Sequence, residues 1–190
     1  MTKFILHGGE TSRDSVNNVN FFKEMLVGFS GEVKVICAYF SRPKEQWEGL
    51  LESDKKRFEA VLGGRKLKLE IANDNLGIFE EQVKEADVLY FRGGSNELLE
   101  ERLKGIKNLK ELLKDRVVAG SSAGASLLSR YYFTRSKNRI EEGLGIIQIK
   151  VFVHYLESYE NNLEKLRKYK EELETITIPE TEFVVKNYEI

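Results

Sequence analysis

Cysteine is nearly absent: the 190-residue chain carries one, Cys37. A lone cysteine excludes an internal disulfide and any cysteine-based zinc cluster. Its place within Val35-Ile36-Cys37-Ala38 predicts core packing rather than nucleophilic chemistry. Histidine is almost as scarce, with only His7 and His154, so a histidine-dependent reaction has few candidates. Neither sign of charge dominates, because 30 lysines and arginines face 31 aspartates and glutamates. No basic surplus points to nucleic acid or to an anionic membrane. Long hydrophobic runs are missing too. The longest, such as Val33 to Phe40, are strand-sized and too short to span a bilayer. The N-terminus enters Lys3-Phe4-Ile5-Leu6 directly, without the apolar stretch of a secretory signal, and a cytoplasmic location is expected.

What is present suits one domain over residues 1–190, with 41% hydrophobic residues to fill a core and 32% charged residues to cover it. The pattern alternates strand and helix. Lys3 to His7 reads as a buried strand ending at Gly8-Gly9. Val16, Val19, Phe22, Met25, Leu26 and Phe29 recur at helical spacing between Ser15 and Phe29. Val33 to Phe40 is a second strand. Pro43 suits the first turn of a helix running towards Leu62 and stopping at Gly63-Gly64. Lys66 to Ile71 alternates like a strand, Ile78 to Glu85 reads as a helix, and Val88 to Phe91 as a strand entering Gly93-Gly94. Leu98 to Leu113 is helical with a break at Gly105, and Arg116 to Ala119 is a strand. Further on, Tyr131 to Phe133, Ile146 to Val153, Ile176 to Ile178 and Phe183 to Val185 read as strands, and Asn161 to Leu173 as an exposed helix. This alternation predicts an α/β fold: a mostly parallel sheet with helices on both faces.

Ligands bind such sheets beyond the carboxyl ends of the strands. Three glycine-bearing turns fall there, and Gly120-Ser121-Ser122-Ala123-Gly124 is the most informative. It lies between the apolar Val117-Val118-Ala119 and the helix-like Ala125-Ser126-Leu127-Leu128, the strand, tight turn and helix of a nucleophile elbow. Ser122, the middle residue, is the candidate nucleophile. The competing reading is a helix N-cap, with Ser121 or Ser122 satisfying orphan amides. The loop Gly94-Ser95-Asn96 is expected beside Ser122. Gly8-Gly9 reads as an ordinary strand-to-helix turn.

A serine hydroxyl needs a base. His154 ends the apolar strand Val151-Phe152-Val153 and is the candidate, whereas His7 reads as structural or as a pocket wall. The base in turn needs an orienting carboxylate. No aspartate lies between Ser122 and His154, and the acids there are Glu141 and Glu142. Glu180, which follows Pro179 at a strand end, is the favoured third member, with Glu141 and Glu142 as alternatives. The amides of Ala123 and Ser95 are the expected oxyanion donors.

Phe91-Arg92-Gly93-Gly94-Ser95-Asn96, Gly120 to Ala125 and His154-Tyr155, in this order, resemble the S51 serine peptidases, the family of aspartyl dipeptidase (dipeptidase E) and cyanophycinase. The similarity runs from the first strand to near the C-terminus. It implies a three-layer fold like the class I glutamine amidotransferase domain, with a serine where those enzymes carry cysteine. It also implies Ser122 as nucleophile, His154 as base, the Ser95 amide in the oxyanion hole, and Gly94 and Asn96 lining the substrate site. Ile178-Pro179-Glu180 resembles a family segment whose glutamate belongs to the site. The chain departs from the family where dipeptidase E carries an aspartate between nucleophile and histidine, and where Ser95 replaces a glycine. Arg92 and Arg130 are the arginines considered for an acidic substrate side chain, though a structural or surface role suits each better. The implied activity is serine-type hydrolysis of small peptides, Asp-containing ones among them. It needs no metal or organic cofactor and no nucleic acid or membrane partner, and a homodimer is a candidate assembly. An esterase, or a family member that binds peptides without turnover, are the alternatives.

Overall fold

The computed structural model describes all 190 residues. The first half builds one large sheet from alternating units: β1 (Thr2–His7), α1 (Val16–Met25), β2 (Glu32–Ala38), α2 (Trp47–Glu59), β3 (Lys66–Ile71), α3 (Leu76–Lys84), β4 (Val88–Phe91), α4 (Asn96–Lys104), α5 (Leu109–Leu112) and β5 (Val117–Ser121). After the elbow come α6 (Ala123–Leu128), β6 (Tyr131–Thr134), β7 (Arg139–Glu142), β8 (Lys150–Val153), α7 (Glu160–Arg167), β9 (Thr175–Ile178) and β10 (Phe183–Tyr188).

Six strands form the large sheet in the order β10-β1-β5-β4-β2-β3, all parallel except β10. Its inner strands are apolar on both faces: Phe4, Ile5 and Leu6 of β1 and Val88 to Phe91 of β4 are wholly buried. The edge strand β3 instead alternates leucine and isoleucine with Lys66, Lys68 and Glu70, and charged side chains blunt an open edge. Right-handed crossovers carry α1 and α2 to one face as the chain steps from β1 to β2 to β3. They carry α3, α4 and α5 to the other as it steps back through β4 to β5. Helices therefore cover both sides, as the alternation predicts. No helix is long and apolar enough to cross a membrane.

β10 returns to the edge of this sheet beside β1, but β6 to β9 do not extend it. These four form a second sheet, in the order β7-β6-β8-β9, and α6 packs between the two sheets. One core cluster of 44 buried residues runs through both, from Phe4 to Ile178. A second cluster, centred on Phe133, Phe152, Leu163 and Leu166, lies under α7. Two sequence expectations need correction here. Ile146 to Val153 is a strand only over Lys150–Val153, because residues 146–149 turn back to bond the segment after α6. Pro43 precedes a short 3-10 turn at Lys44–Gln46 rather than opening α2 itself.

Candidate active site

Strand register sets the site. His7 lies opposite Ser121, and Gly120 opposite both Leu6 and Phe91, so the carboxyl ends of β1, β5 and β4 are level. A cleft lined by Gly94 and Ser122 opens beyond these ends. Ser122 follows β5 in a strained conformation, φ 49° and ψ −108°. Such a backbone costs about 1–3 kcal/mol and persists only where its surroundings fix it. Here the Ser122 N–H donates to the His7 carbonyl (2.9 Å) and the Ser126 N–H to the Ser122 carbonyl (2.9 Å). A side chain at Gly124 would lie 2.4 Å from the Phe91 carbonyl oxygen, so the turn tolerates none there.

The two serines of the elbow have opposite fates. Ser121 is buried, and its hydroxyl accepts the Gly93 N–H (3.0 Å) beside Tyr90 Oη (3.2 Å). Ser122 makes no capping bond to its helix. Its Oγ stands 2.8 Å from His154 Nε2. The N-cap reading of the elbow therefore does not describe Ser122.

His154 comes from the smaller sheet. Val153 of β8 lies opposite Ile178 of β9, so His154 and Glu180 emerge side by side. His154 Nδ1 is 3.2 Å from Glu180 Oε1. With the proton on Nδ1, facing the carboxylate, Nε2 presents its lone pair to the Ser122 hydroxyl. The other oxygen, Glu180 Oε2, accepts Arg13 Nη2 (2.8 Å). Burial works against the Glu180 charge, but the hydrogen bonds from His154 and Arg13 outweigh it. Its carboxyl therefore titrates below the ordinary range.

Gly8-Gly9 joins the two sheets. The Gly8 carbonyl accepts the His154 N–H (3.0 Å), and the Gly9 carbonyl accepts the Thr181 N–H (3.0 Å). Gly9 has φ 119°, and a Cβ there would fall 2.1 Å from His154 Cε1. This pair is thus the seat of the imidazole and not an ordinary turn. His7 is wholly buried and fixes the same loop: Gly9 N–H donates to its Nδ1 (3.0 Å), leaving Nε2–H to donate to Asn18 Oδ1 (2.8 Å). Burial, only partly offset by the Asn18 bond, lowers the His7 imidazole to about 4. Asn18 Nδ2 then donates to the carbonyls of Glu10 (2.8 Å) and Arg13 (2.6 Å), which presents Arg13 to Glu180.

The cleft in front of Ser122 measures about 560 Å³. Its walls include Gly94, Asn96, Phe133, Arg135 and Tyr159. The Ser95 amide does not serve as expected: its N–H donates to the Ser41 carbonyl (2.9 Å), and its hydroxyl caps α4. Gly94 is exposed, and its N–H has no partner in the chain. The Ala123 N–H stands in the first turn of α6, where amides lack intrahelical acceptors. No group of three or more histidine, cysteine, aspartate or glutamate side chains is placed to hold a metal ion.

The family model of peptidase family S51 matches residues 8–188. The chain belongs to this family. As an S51 member it is a peptidase. A peptidase from an acI-B1 Actinobacterium has a similar structure, with TM-score 0.65 and 22% identity over 98% of this chain and 83% of that one. A candidate peptidase E protein from Listeria monocytogenes EGD-e is similar with TM-score 0.64 and 19% identity over the whole of both chains. These likenesses show the fold. A comparison with curated proteins finds no match.

Other residues weighed from the S51 sequence lie elsewhere. Glu141 is bound by Tyr132, Lys137 and Arg139, and Glu142 pairs with Lys170, so neither meets His154. Arg92 is buried in an ion pair with Asp54. Arg130 packs over the Tyr131 ring at 4.9 Å. Cys37 is wholly buried, and burial pushes its thiol well up. Arg135, not singled out by any motif, is the arginine in the cleft; its Nη1 donates to the His154 carbonyl (2.8 Å).

Proposed function

We propose that this S51 peptidase cleaves short peptides through a serine acyl-enzyme. The reading is carried by the unbroken line from Ser122 Oγ to His154 Nε2 (2.8 Å) and from His154 Nδ1 to Glu180 Oε1 (3.2 Å). Ser122 Oγ attacks the scissile carbonyl while its proton passes to His154 Nε2. The Gly94 and Ala123 N–H groups receive the oxyanion, replacing the Ser95 amide in that role. The C–N bond breaks as the Nε2 proton moves to the leaving amine. Water, deprotonated by the same nitrogen, then attacks the ester, and the proton returns to Ser122. Glu180 holds the imidazole tautomer and balances its charge. Every role falls to a side chain or amide of this chain.

The cleft volume, about 560 Å³, suits a dipeptide or a slightly longer peptide. Arg135 supplies the positive charge for a substrate carboxylate, with Asp-containing dipeptides as the first class to try. The test is hydrolysis of a dipeptide panel, with and without an acidic residue, by wild type and Ser122→Ala. Turnover that Ser122→Ala abolishes supports the scheme. Equal turnover by the variant contradicts it.

A further inference from the structure

The loop after β4 is gripped from outside the cleft by the loop after β2. Arg92 N–H donates to the Ala38 carbonyl (3.2 Å), and Ser95 N–H to the Ser41 carbonyl (2.9 Å). Ser41 Oγ donates to the Arg92 carbonyl (2.6 Å), and Arg42 Nε to the Gly93 carbonyl (2.8 Å). A Cβ on Gly94 would fall 2.3 Å from the Ser41 carbonyl oxygen and 2.7 Å from Arg42 Nε, so the loops are in direct contact. Arg42 is itself anchored. Its N–H donates to the Tyr39 carbonyl (2.8 Å), and its carbonyl accepts Trp47 Nε1 (3.0 Å).

The peptide unit joining Gly93 to Gly94 is therefore held by its oxygen alone. In a trans unit the C=O and N–H point in opposite directions, and the chain has no cis bond. With the oxygen turned towards Arg42, the Gly94 N–H is turned away from it, and Gly94 lines the cleft with Ser122. A guanidinium donor also polarises the amide it binds and strengthens the N–H at the other end. Arg42 does not line the cleft.

We propose that Arg42 is a positioning residue that aims and strengthens the Gly94 N–H as an oxyanion donor. The proposal rests on the serine acyl-enzyme reading. The experiment compares Arg42→Met, which removes the donor, with Arg42→Gln, whose Nε2 stands at the same chain position as arginine Nε. Both are assayed for kcat and KM on the best dipeptide and for affinity to a peptide aldehyde, whose adduct carries the tetrahedral oxygen. Arg42→Met is expected to lower kcat roughly tenfold to a hundredfold, less than losing a donor outright. KM should change little, aldehyde affinity should fall in proportion to kcat, and Arg42→Gln should recover most of both. If Arg42→Met does not fold, Arg42→Lys replaces it, with an intermediate loss expected. A variant lacking the donor that keeps kcat and aldehyde affinity overturns the proposal. So does a loss confined to KM, or one that Arg42→Gln does not relieve. Ser122→Ala retaining full turnover would instead overturn the acyl-enzyme reading, and this proposal with it.

Discussion

The two sheets differ in construction and in what they give the site. The six-stranded sheet has long, doubly covered, apolar inner strands, and it supplies Ser122 and the Gly94 and Ala123 amides. The four-stranded sheet has strands of four residues, one charged edge, and a small aromatic cluster beneath α7, and it supplies His154 and Glu180. In the proposed mechanism the nucleophile stands on one sheet and its base on the other, so catalytic geometry depends on how the sheets meet. Gly8-Gly9 and the Arg13 loop are where they meet. The comparison teaches that building the rigid frame and bringing Ser122 to His154 are separate problems, solved by different residues.

Removing the large sheet's contribution should have the greatest effect. Ser122→Ala is expected to cut kcat by about 10⁴-fold or more while the fold persists, measured by peptide hydrolysis and circular dichroism. Glu180→Gln tests the small sheet's contribution. It replaces the carboxylate that holds the His154 tautomer, and a loss of about 10³-fold in kcat is expected. That is less than for a fully buried aspartate, because Glu180 is 31% exposed. Gly9→Ala tests the meeting point. Its Cβ must displace the His154 ring, and a misplacement of that kind costs roughly a hundredfold in rate. If Gly9→Ala hydrolyses peptides like wild type, the seam is not what holds the base.

A smaller effect concerns pH. His7 is held neutral, because burial lowers its pKa from the ordinary imidazole value of 6.5 to about 4. The unfolded chain therefore binds a proton first as pH falls. The stability tied to neutral His7 is fully present above about pH 6.5 and is lost as pH falls towards 4, where the folded state also protonates. The loss is on the order of 3 kcal/mol. Urea unfolding at pH 7 and pH 4.5 measures it, and His7→Gln should flatten the difference. An equally steep loss in that variant would place the effect elsewhere.

Much of the large sheet was legible because buried parallel strands leave uninterrupted apolar runs and their turns leave glycines. The bounds of β3 and β4 coincide with the pattern, and the helix after β4 breaks at Gly105 as expected. The strand, tight turn and helix from β5 to α6 were legible from the same local chemistry. The small sheet was harder to read. Arg139–Glu142 carries a single apolar residue and forms a strand only because β6 pairs with it. The roles of Gly9, Asn18 and Arg13 were hidden because their partners lie far off in the chain: Gly9 clears space for a ring at position 154. The Ser95 amide was misread for the same reason, since its acceptor is on the loop after β2.

The most direct measurement is intact-mass labelling by a fluorophosphonate, with the site mapped, on wild type, Ser122→Ala, His154→Ala and Glu180→Gln. The account predicts one adduct on Ser122 in the wild type. It should be absent in Ser122→Ala, nearly absent in His154→Ala and slowed in Glu180→Gln. A folded wild type that takes no label, or an adduct that forms equally fast without His154, would contradict it.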